Sequence, residues 1–314
     1  MNELMDEVWV PTKHHQSIFE RDGVTSSVQV VGQGIDVHFW DPSRVPPLDW
    51  EDMAYHGRDR NSPCSERDYK FLSVFKWERR KAPDVLLPSF WRAFPRGGAC
   101  LIVVTSSYHD DEDQIIDEVY EHWREANEDT DSGEEGEEKK TAHAKANAPR
   151  GLILMSGLPL DELVRLYRTV DAFVLPSRGE GWGRPYMEAM AMELPVIATN
   201  WSGPTEFVTD DVGYLLPTEG LVDAGLEAFP GHRWAEPSGG ELQALFRSIA
   251  GKHRTQAKLK GIAARRHIVQ NWSNEVLARQ VADRLDQIAL KTKSTKGAES
   301  TDVWDEGDTS KDEF

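Results

Sequence analysis

Two carboxylates flank a glycine-rich turn in the second half of the chain. Glu180 and Glu188 lie on either side of Gly181, Trp182 and Gly183. Where such a turn opens a helix, it directs backbone N–H groups and the positive end of the helix dipole toward an anion such as phosphate. A carboxylate one or two turns into the helix can accept hydrogen bonds from a ribose or sugar diol. The turn therefore predicts a site for a sugar nucleotide.

The elements around this turn follow an alternating pattern of strands and helices. The apolar run at 172–176 predicts a buried parallel strand before the turn, and the residues after the turn have helical spacing. Strands are predicted at 71–75, 100–105, 151–155, 171–175, 195–198 and 213–216, and the last third, 240–288, is predicted to be helical. We predict the α/β fold class with a Rossmann-like, doubly wound parallel sheet, which binds ligands at the carboxyl ends of its strands.

The run that starts at Glu180 is similar to a known family signature. From Glu180 to Ala191 it reads Glu-Gly-Trp-Gly-Arg-Pro-Tyr-Met-Glu-Ala-Met-Ala, and the runs 195–199 and 202–206 follow. Over roughly thirty residues it resembles the donor-binding domain of retaining GT-B glycosyltransferases of the group 1 type, such as glycogen synthase and sucrose synthase, a match far more specific than a lone Gly-x-Gly. The resemblance implies transfer of a sugar from a nucleoside diphosphate sugar to an unidentified acceptor, with retention of the anomeric configuration.

The same resemblance gives a role to two lysines after the first predicted strand of the sheet. Relatives place an arginine and a lysine at the spacing of Lys76 and Lys81, and both contact the nucleoside diphosphate. Here the first of the pair is lysine, which lacks the bidentate fork of arginine, so Arg79 and Arg80 are candidate substitutes. These cations and the amides of the turn would stabilise the leaving diphosphate, which makes a metal or another cofactor unnecessary.

The resemblance also places Glu180 near the transferred sugar and Glu188 at the ribose. Arg184, in the donor-binding loop, stands where relatives carry an apolar residue, and both a phosphate contact and simple cover of the helix stay open for it. Structural roles stay open for the other residues as well. Glu188 could face solvent, Glu180 could cap backbone amides, and the two lysines could be ordinary surface cations.

An acidic run at 110–113 contains an Asp-x-Asp pattern. In the other large glycosyltransferase fold, this pattern binds a divalent metal. Here it opens a strongly acidic helical segment, so a solvated charged face is the better interpretation. We therefore predict no metal site.

Similarity and composition divide the chain into segments. Residues 1–41 resemble a remnant of the family's acceptor-binding domain with its hinge, and 42–67 form a linker. Residues 68–290 form the donor-binding domain with a disordered acidic insert at 127–149, and 291–314 form a disordered acidic tail. By this comparison the chain is truncated at its N-terminus. A partner chain could supply the missing part, and the enzyme could be inactive without it.

The formal net charge of −18 is concentrated in two segments. Residues 110–138 hold fifteen acidic residues and one arginine, and residues 291–314 hold seven acidic residues and four lysines. The rest of the chain is close to neutral. This distribution argues against nucleic acid as a partner.

Two cysteines and the absence of targeting signals set the expected compartment. Cys64 and Cys100 are far apart and belong to no motif, which fits a reducing compartment and excludes a disulfide framework or a cysteine zinc site. The first residues have no basic start and no apolar core, so we expect no signal peptide, and no apolar run in the sequence is long enough to span a bilayer. We expect a cytoplasmic protein.

The sequence leaves one other class of function open and argues against another. A non-catalytic nucleotide-sugar-binding or interaction protein would keep the donor fold and use the acidic segments for docking. An NAD-dependent oxidoreductase would need Gly-x-Gly-x-x-Gly after the first strand of the sheet, and the residues after Phe75 do not contain it. The first alternative stays open, and the second is set aside.

Overall fold

A small β-α-β unit precedes the main sheet. The computed structural model describes residues 5–49, 64–106, 112–128, 151–225 and 230–299. Strands β1 (Glu7–Val10) and β2 (Ser27–Val30) pair in parallel and are joined through helix α1 (Lys13–Arg21). Thr12 caps α1, because its Oγ1 accepts a hydrogen bond from the backbone N–H of His15 at 3.2 Å.

A six-stranded parallel sheet forms the centre of the larger unit. Its strands are β3 (Tyr69–Lys76), β4 (Ala99–Ser106), β5 (Leu152–Met155), β6 (Ala172–Leu175), β7 (Val196–Thr199) and β8 (Tyr214–Leu216). Their order across the sheet is β5-β4-β3-β6-β7-β8, and all neighbours are parallel. Each predicted strand is present, with ends that differ by one or two residues. The direction of winding reverses between β3 and β6, as in doubly wound folds, so the predicted fold class is confirmed.

Helices cover both faces of this sheet. They are α2 (Pro83–Ala93), α3 (Glu112–Glu128), α4 (Leu160–Thr169), α5 (Arg184–Ala191), α6 (Gly239–Ala250), α7 (Arg254–Asn271) and α8 (Asn274–Glu299). Helix α2 packs on α3 and α6, whereas α5 packs on α7. The strands between these layers are nearly all buried, which is why they read as apolar runs in the sequence. Within the described ranges, no helix has the length and apolar character needed to cross a membrane.

An aromatic cluster fixes α2 and α6 on the sheet. Phe71 of β3, Phe90 and Phe94 at α2, and Phe246 of α6 lie with ring centroids 4.8–6.4 Å apart. Burial of such rings is a large hydrophobic contribution to stability. The buried face of α6 is formed by Leu242, Phe246 and Ile249, with Leu245 partly buried beside them.

The last helix returns to the β-α-β unit. Arg284 of α8 forms an ion pair with Glu7 of β1, and an isolated bridge joins Ile35 to Ser273 just before α8. Leu285 on the same helix is 53% exposed. The helix continues to Glu299, past residue 290 where a disordered tail was expected to begin.

Two other predicted segments are described only in part. Apart from the end of α3, the acidic insert lies outside the described residues, as does 300–314. Of the predicted linker, 50–63 is likewise outside. Its first part packs on the larger unit, since Leu48 is 4% exposed and its N–H donates to Thr169 Oγ1 at 2.7 Å.

The sequence analysis missed one pair of strands. β9 (Thr218–Asp223) and β10 (Arg233–Pro237) form an antiparallel pair after β8. These strands are short and largely polar, so they carry neither the apolar run nor the strict alternation that predicts a strand.

The expectation of two unpaired cysteines is wrong. Cys64 and Cys100 form a disulfide, with their Cα atoms 5.5 Å apart. Cys100 lies near the start of β4, and Cys64 lies in the segment that enters the neighbouring strand β3. Parallel neighbours begin at the same edge of a sheet, so residues distant in sequence meet there.

Reduction of this disulfide should lower the free energy of unfolding by about 3 to 4 kcal/mol, because the bond closes a loop with a sequence separation of 36 residues in the unfolded chain. Urea denaturation with and without reductant measures the difference. Cys64→Ser should lose the same amount without reductant and nothing more with it. Two free thiols in the unfolded chain, purified without reductant, would contradict the disulfide.

Candidate functional site

An ion pair joins the two segments that the sequence analysis singled out. Lys81 ends a 3-10 turn, Arg79–Lys81, after β3, and Glu180 lies in the loop after β6. The Nζ of Lys81 is 2.5 Å from Oε1 of Glu180, and Nη1 of Arg80 is 3.3 Å from Oε2. The side chains of Lys81 and Glu180 are only 12% and 10% exposed. Because β3 and β6 are parallel neighbours, their carboxyl ends bring these residues together.

A buried arginine holds the same two segments in register. The side chain of Arg178 is 3% exposed and has an acceptor for each of its five N–H donors. It bonds both carboxylate oxygens of Asp84 at 2.9 and 2.7 Å, both of Glu236 at 2.7 and 2.8 Å, and the carbonyl oxygen of Arg79 at 2.6 Å. Burial disfavours its charge, but the hydrogen bonds and charges of Glu236 and Asp84 outweigh this and raise the pKa of Arg178.

The backbone of Arg178 adds to this connection. Its N–H donates to the carbonyl oxygen of Arg80 at 2.8 Å, and its own carbonyl accepts from Ala235 of β10 at 3.1 Å. The turn after β3, the start of α2, the loop after β6 and β10 therefore meet at one residue. Sequence reasoning missed this role. An arginine directly after an apolar strand, two residues before Glu180, was the available signal, and it does not reveal distant partners.

The glycine-rich turn is fixed by close backbone contacts. Gly183 has a φ of +99°, and a Cβ on it would lie 2.7 Å from the ring of Tyr186. A Cβ on Gly203, in the segment after β7, would lie 2.7 Å from the carbonyl oxygen of Gly181. Only glycine fits these two positions without rearrangement. The loop that carries Glu180 is thereby held against the 202–203 segment.

Two backbone N–H groups at the start of α5 have no hydrogen-bond acceptor within the described residues. Among the residues that the structure describes, the N–H groups of Gly181 and Trp182 donate no hydrogen bond. The side chain of Trp182 is buried at 3% exposure, its Nε1 donates to Met187 Sδ at 2.6 Å, and it packs on Phe207 and Trp272. Trp182 can therefore meet a ligand only through its backbone.

The second carboxylate is half-buried on α5. Tyr167 of α4 donates its hydroxyl to Oε2 of Glu188 at 3.2 Å. Burial raises the pKa of Glu188 from its ordinary value of 4.5, although the hydrogen bond from Tyr167 and the charge of Arg184 act in the opposite direction. The side chain of Arg184 is exposed one helical turn before Glu188.

A cleft of about 410 Å³ opens beside the ion pair at the carboxyl ends of β3 and β4. Lys76, Arg80 and Lys81 line it with positive charge, and Val104 and Leu158 contribute apolar surface. The structure thus brings both predicted lysines to one cleft, together with the candidate substitute Arg80. Neither Glu180, Glu188 nor the turn residues 181–184 are part of this lining, which instead includes the carboxylate of Glu78.

One wall of the cleft carries a buried hydroxyl group. Thr105, at the carboxyl end of β4, is 5% exposed, and its Oγ1 has no hydrogen-bond partner within the described part of the chain.

Metal ligands are not clustered in the parts of the chain that the structure describes, where no three His, Cys, Asp or Glu side chains could together hold an ion. The acidic run 110–113 lies outside the described side chains. The positive charge of the cleft comes from lysine and arginine instead.

Comparison with known proteins identifies the family. A family model described as glycosyl transferases group 1 matches residues 59–228, more than half of the chain. The chain belongs to this glycosyltransferase family. The matched range covers Lys76, Lys81 and the turn from Glu180 to Glu188.

Solved structures of three proteins share the fold of this glycosyltransferase. A glycosyltransferase from Rickettsia africae ESF-5 has a TM-score of 0.62 at 17% identity, and HepE of Anabaena, in complex with UDP and glucose, has 0.62 at 15%. Sucrose-phosphate synthase from Thermosynechococcus elongatus has 0.61 at 18%. The matches cover 92%, 91% and 92% of this chain but only 65%, 64% and 60% of those chains.

A shorter sequence match points to a sugar-transferring relative. The lipopolysaccharide core biosynthesis mannosyltransferase LpsB of Rhizobium meliloti (strain 1021) is 41% identical over 64 residues. That stretch is 18% of this chain and 18% of LpsB.

Arg178→Ala should lower the free energy of unfolding by about 3 to 5 kcal/mol, because it leaves two carboxylates facing each other without their buried cation. Chemical denaturation measures the loss. Arg44→Ala is the matched control. Its side chain is 61% exposed beside Asp41, so the cost should stay below about 1 kcal/mol. Equal costs for the two variants would contradict the role given to Arg178.

Glu188→Gln should stabilise the protein at neutral pH. The folded chain holds the Glu188 proton more tightly than the unfolded chain, so stability is lost as pH rises from 4.5 through the raised pKa. Glutamine keeps an acceptor for Tyr167 and never ionises. Thermal melts at neutral pH and at pH 4.5 should therefore show a gain that shrinks in acid.

Glu241→Gln provides the control for this pH dependence, because Glu241 is an exposed glutamate on α6. It should melt like the wild-type chain at both pH values. A Glu188→Gln chain that is less stable than wild type at neutral pH would show that the carboxylate is ionised and stabilising in the folded state.

Proposed function

We propose that this glycosyltransferase binds a nucleoside diphosphate sugar at the cleft and transfers its sugar to an acceptor with retention of the anomeric configuration. The observation that carries the proposal is the Lys81–Glu180 ion pair at the edge of a cationic cleft. The pair holds a cation that could bind phosphate beside a carboxylate that could accept hydrogen bonds from hydroxyl groups, at the switch point of the sheet where doubly wound folds bind ligands.

The diphosphate would lie between the cleft cations and the start of α5. Lys81 has three N–H donors, and its contact with Glu180 uses one of them. The backbone N–H groups of Gly181 and Trp182 add donors at the positive end of the helix dipole. Arg80 lies on the same side and supplies the planar donor group that Lys76 lacks.

The two carboxylates would orient the sugars of the donor. Glu180 is held by Lys81 and Arg80, so its oxygens have a defined position for hydroxyl groups of the transferred sugar. Glu188 keeps one oxygen on Tyr167 and would accept from a ribose hydroxyl with the other. We assign neither carboxylate the role of a glycosidase-like acid or nucleophile.

The apolar part of the cleft would hold the nucleobase. Val104 and Leu158 contribute apolar surface to the cleft. A base that packs on this surface would lie beside the cationic side of the cleft.

Rate acceleration would come from electrostatics. As the bond between the anomeric carbon and the diphosphate oxygen breaks, negative charge grows on the diphosphate. Lys76, Arg80 and Lys81 are in place before this charge develops, so they would bind the transition state more tightly than the ground state. Fixed cations can fill this role without a metal ion.

The β-α-β unit would belong to the acceptor side. Within the described residues, β1 and β2 pair only with each other, so each strand has an open edge. Parallel sheets rarely occur with so few strands and uncovered faces. Further strands, from a partner chain or a longer form of this chain, would complete an acceptor-binding domain.

Calorimetric titration of the full chain with UDP, GDP and ADP tests the donor site. One nucleotide should bind saturably, with UDP the first choice because HepE was solved with it. Lys81→Ala and Glu188→Ala should each weaken binding by about tenfold or more, since each removes a charge-assisted hydrogen bond.

Matched controls are Lys258→Ala and Glu241→Gln, which alter exposed residues on α7 and α6. Both should bind the nucleotide like wild type. A folded chain that binds none of the three nucleotides would overturn the donor proposal. Binding without sugar transfer from the matching donor to any acceptor would favour the non-catalytic alternative.

A further inference from the structure

A tryptophan lies beside the proposed donor loop, at the boundary with the β-α-β unit. Trp201 follows β7, and the next residue, Ser202, accepts the backbone N–H of Glu180 on its Oγ at 2.9 Å. The N–H of Gly203 in turn donates to the carbonyl oxygen of Glu180 at 3.0 Å. Trp201 is therefore one residue away from a segment bonded directly to the loop that would orient the donor sugar.

Helix α1 places a histidine against this tryptophan. The rings of His14 and Trp201 lie with their centroids 5.0 Å apart in an edge-to-face arrangement, and both side chains are partly exposed. The backbone N–H of Lys13 donates to Oε2 of Glu206 at 2.8 Å, which anchors the start of α1 on the same segment. Residues of both units thus form one surface.

The imidazole of His14 is free to bind a ligand. Its neighbour His15 bonds the Thr12 hydroxyl at 2.7 Å, whereas the ring nitrogens of His14 have no hydrogen-bond partner among the described residues. Burial, with the charges of His15 and Arg21, lowers the pKa of His14. At neutral pH its ring is therefore uncharged and offers one donor and one acceptor.

We propose that Trp201, His14 and Glu206 form the binding subsite for the acceptor, and that the acceptor is a carbohydrate. A pyranose ring has an apolar C–H face that stacks on an indole and equatorial hydroxyls that bond an imidazole and a carboxylate. The carboxylate of Glu206 disfavours an anionic acceptor. The assignment rests on the proposed function, because it is the donor loop beside Trp201 that makes this surface an acceptor subsite.

Nuclear magnetic resonance of the full chain tests the subsite with two defined probes, methyl α-D-mannopyranoside and methyl α-D-glucopyranoside. The indole N–H signal of Trp201, identified by its loss in Trp201→Phe, should shift saturably with at least one pyranoside. Sorbitol has similar hydroxyl groups but no ring to stack, so it should leave the signal in place. Trp9, which is 37% exposed on β1, is the internal control and should not respond.

Substitutions of His14 distinguish a hydrogen bond between its imidazole and the ligand from a general packing role of this residue. His14→Ala should weaken pyranoside binding about fivefold, as expected for the loss of one hydrogen bond, and His14→Gln should restore part of it. His38→Ala, at an exposed histidine, should leave binding unchanged. Nucleotide affinity should be the same in all three variants.

Pyranoside titrations with and without UDP test the carbohydrate subsite and the donor site separately. A Trp201 signal that stays fixed with both pyranosides, or that shifts equally with sorbitol, would overturn the carbohydrate subsite, whether or not UDP binds. A saturable, sorbitol-insensitive shift in a chain that fails to bind any nucleotide would support carbohydrate binding at this surface, but it would overturn the donor site and with it the assignment of the surface to the acceptor.

Discussion

The side chain of Arg178 donates all five of its N–H groups to acceptors on three other segments of the chain. Lys81 and Glu180 sit on two of the segments that it connects, so their 2.5 Å contact depends on this buried cation. A well-packed apolar substitute can match a buried ion network in stability. What apolar packing cannot supply is directional bonding to Asp84 and to the turn at Arg79, and that bonding sets the geometry of the site.

Charge in the cleft is arranged before any ligand arrives. Arg80 and Lys81 are oriented by Glu180, and Arg80 is also held by Glu78 at 2.6 Å. Oriented cations need little reorganisation when an anion binds, and this is the condition under which electrostatic stabilisation of a leaving group is most effective. The large formal negative charge of the chain lies mostly in other segments, and Glu78 and Glu180 are the carboxylates that pair with these cations.

Contacts between the β-α-β unit and the larger unit place the proposed acceptor surface beside the proposed donor loop. The Arg284–Glu7 ion pair and the Ile35–Ser273 bridge attach the β-α-β unit to the last helix, and Lys13 bonds Glu206 beside the glycine-rich turn. These three attachments fix α1 against the segment that also bonds the Glu180 backbone. These contacts therefore join the proposed donor and acceptor surfaces.

The sequence by itself determined the parallel sheet, the family and the turn between Glu180 and Glu188, because apolar runs and glycine positions act over a few neighbouring residues. It also placed Lys76 and Lys81 at the first strand of the sheet. Only the tertiary structure decided that Arg178 bonds Asp84 and Glu236, that Tyr167 meets Glu188, and that Cys64 reaches Cys100. These partners are 21 to 94 residues apart, and no local pattern encodes such pairs. They form because the order of the strands, and the helices between them, brings segments that are distant in sequence together.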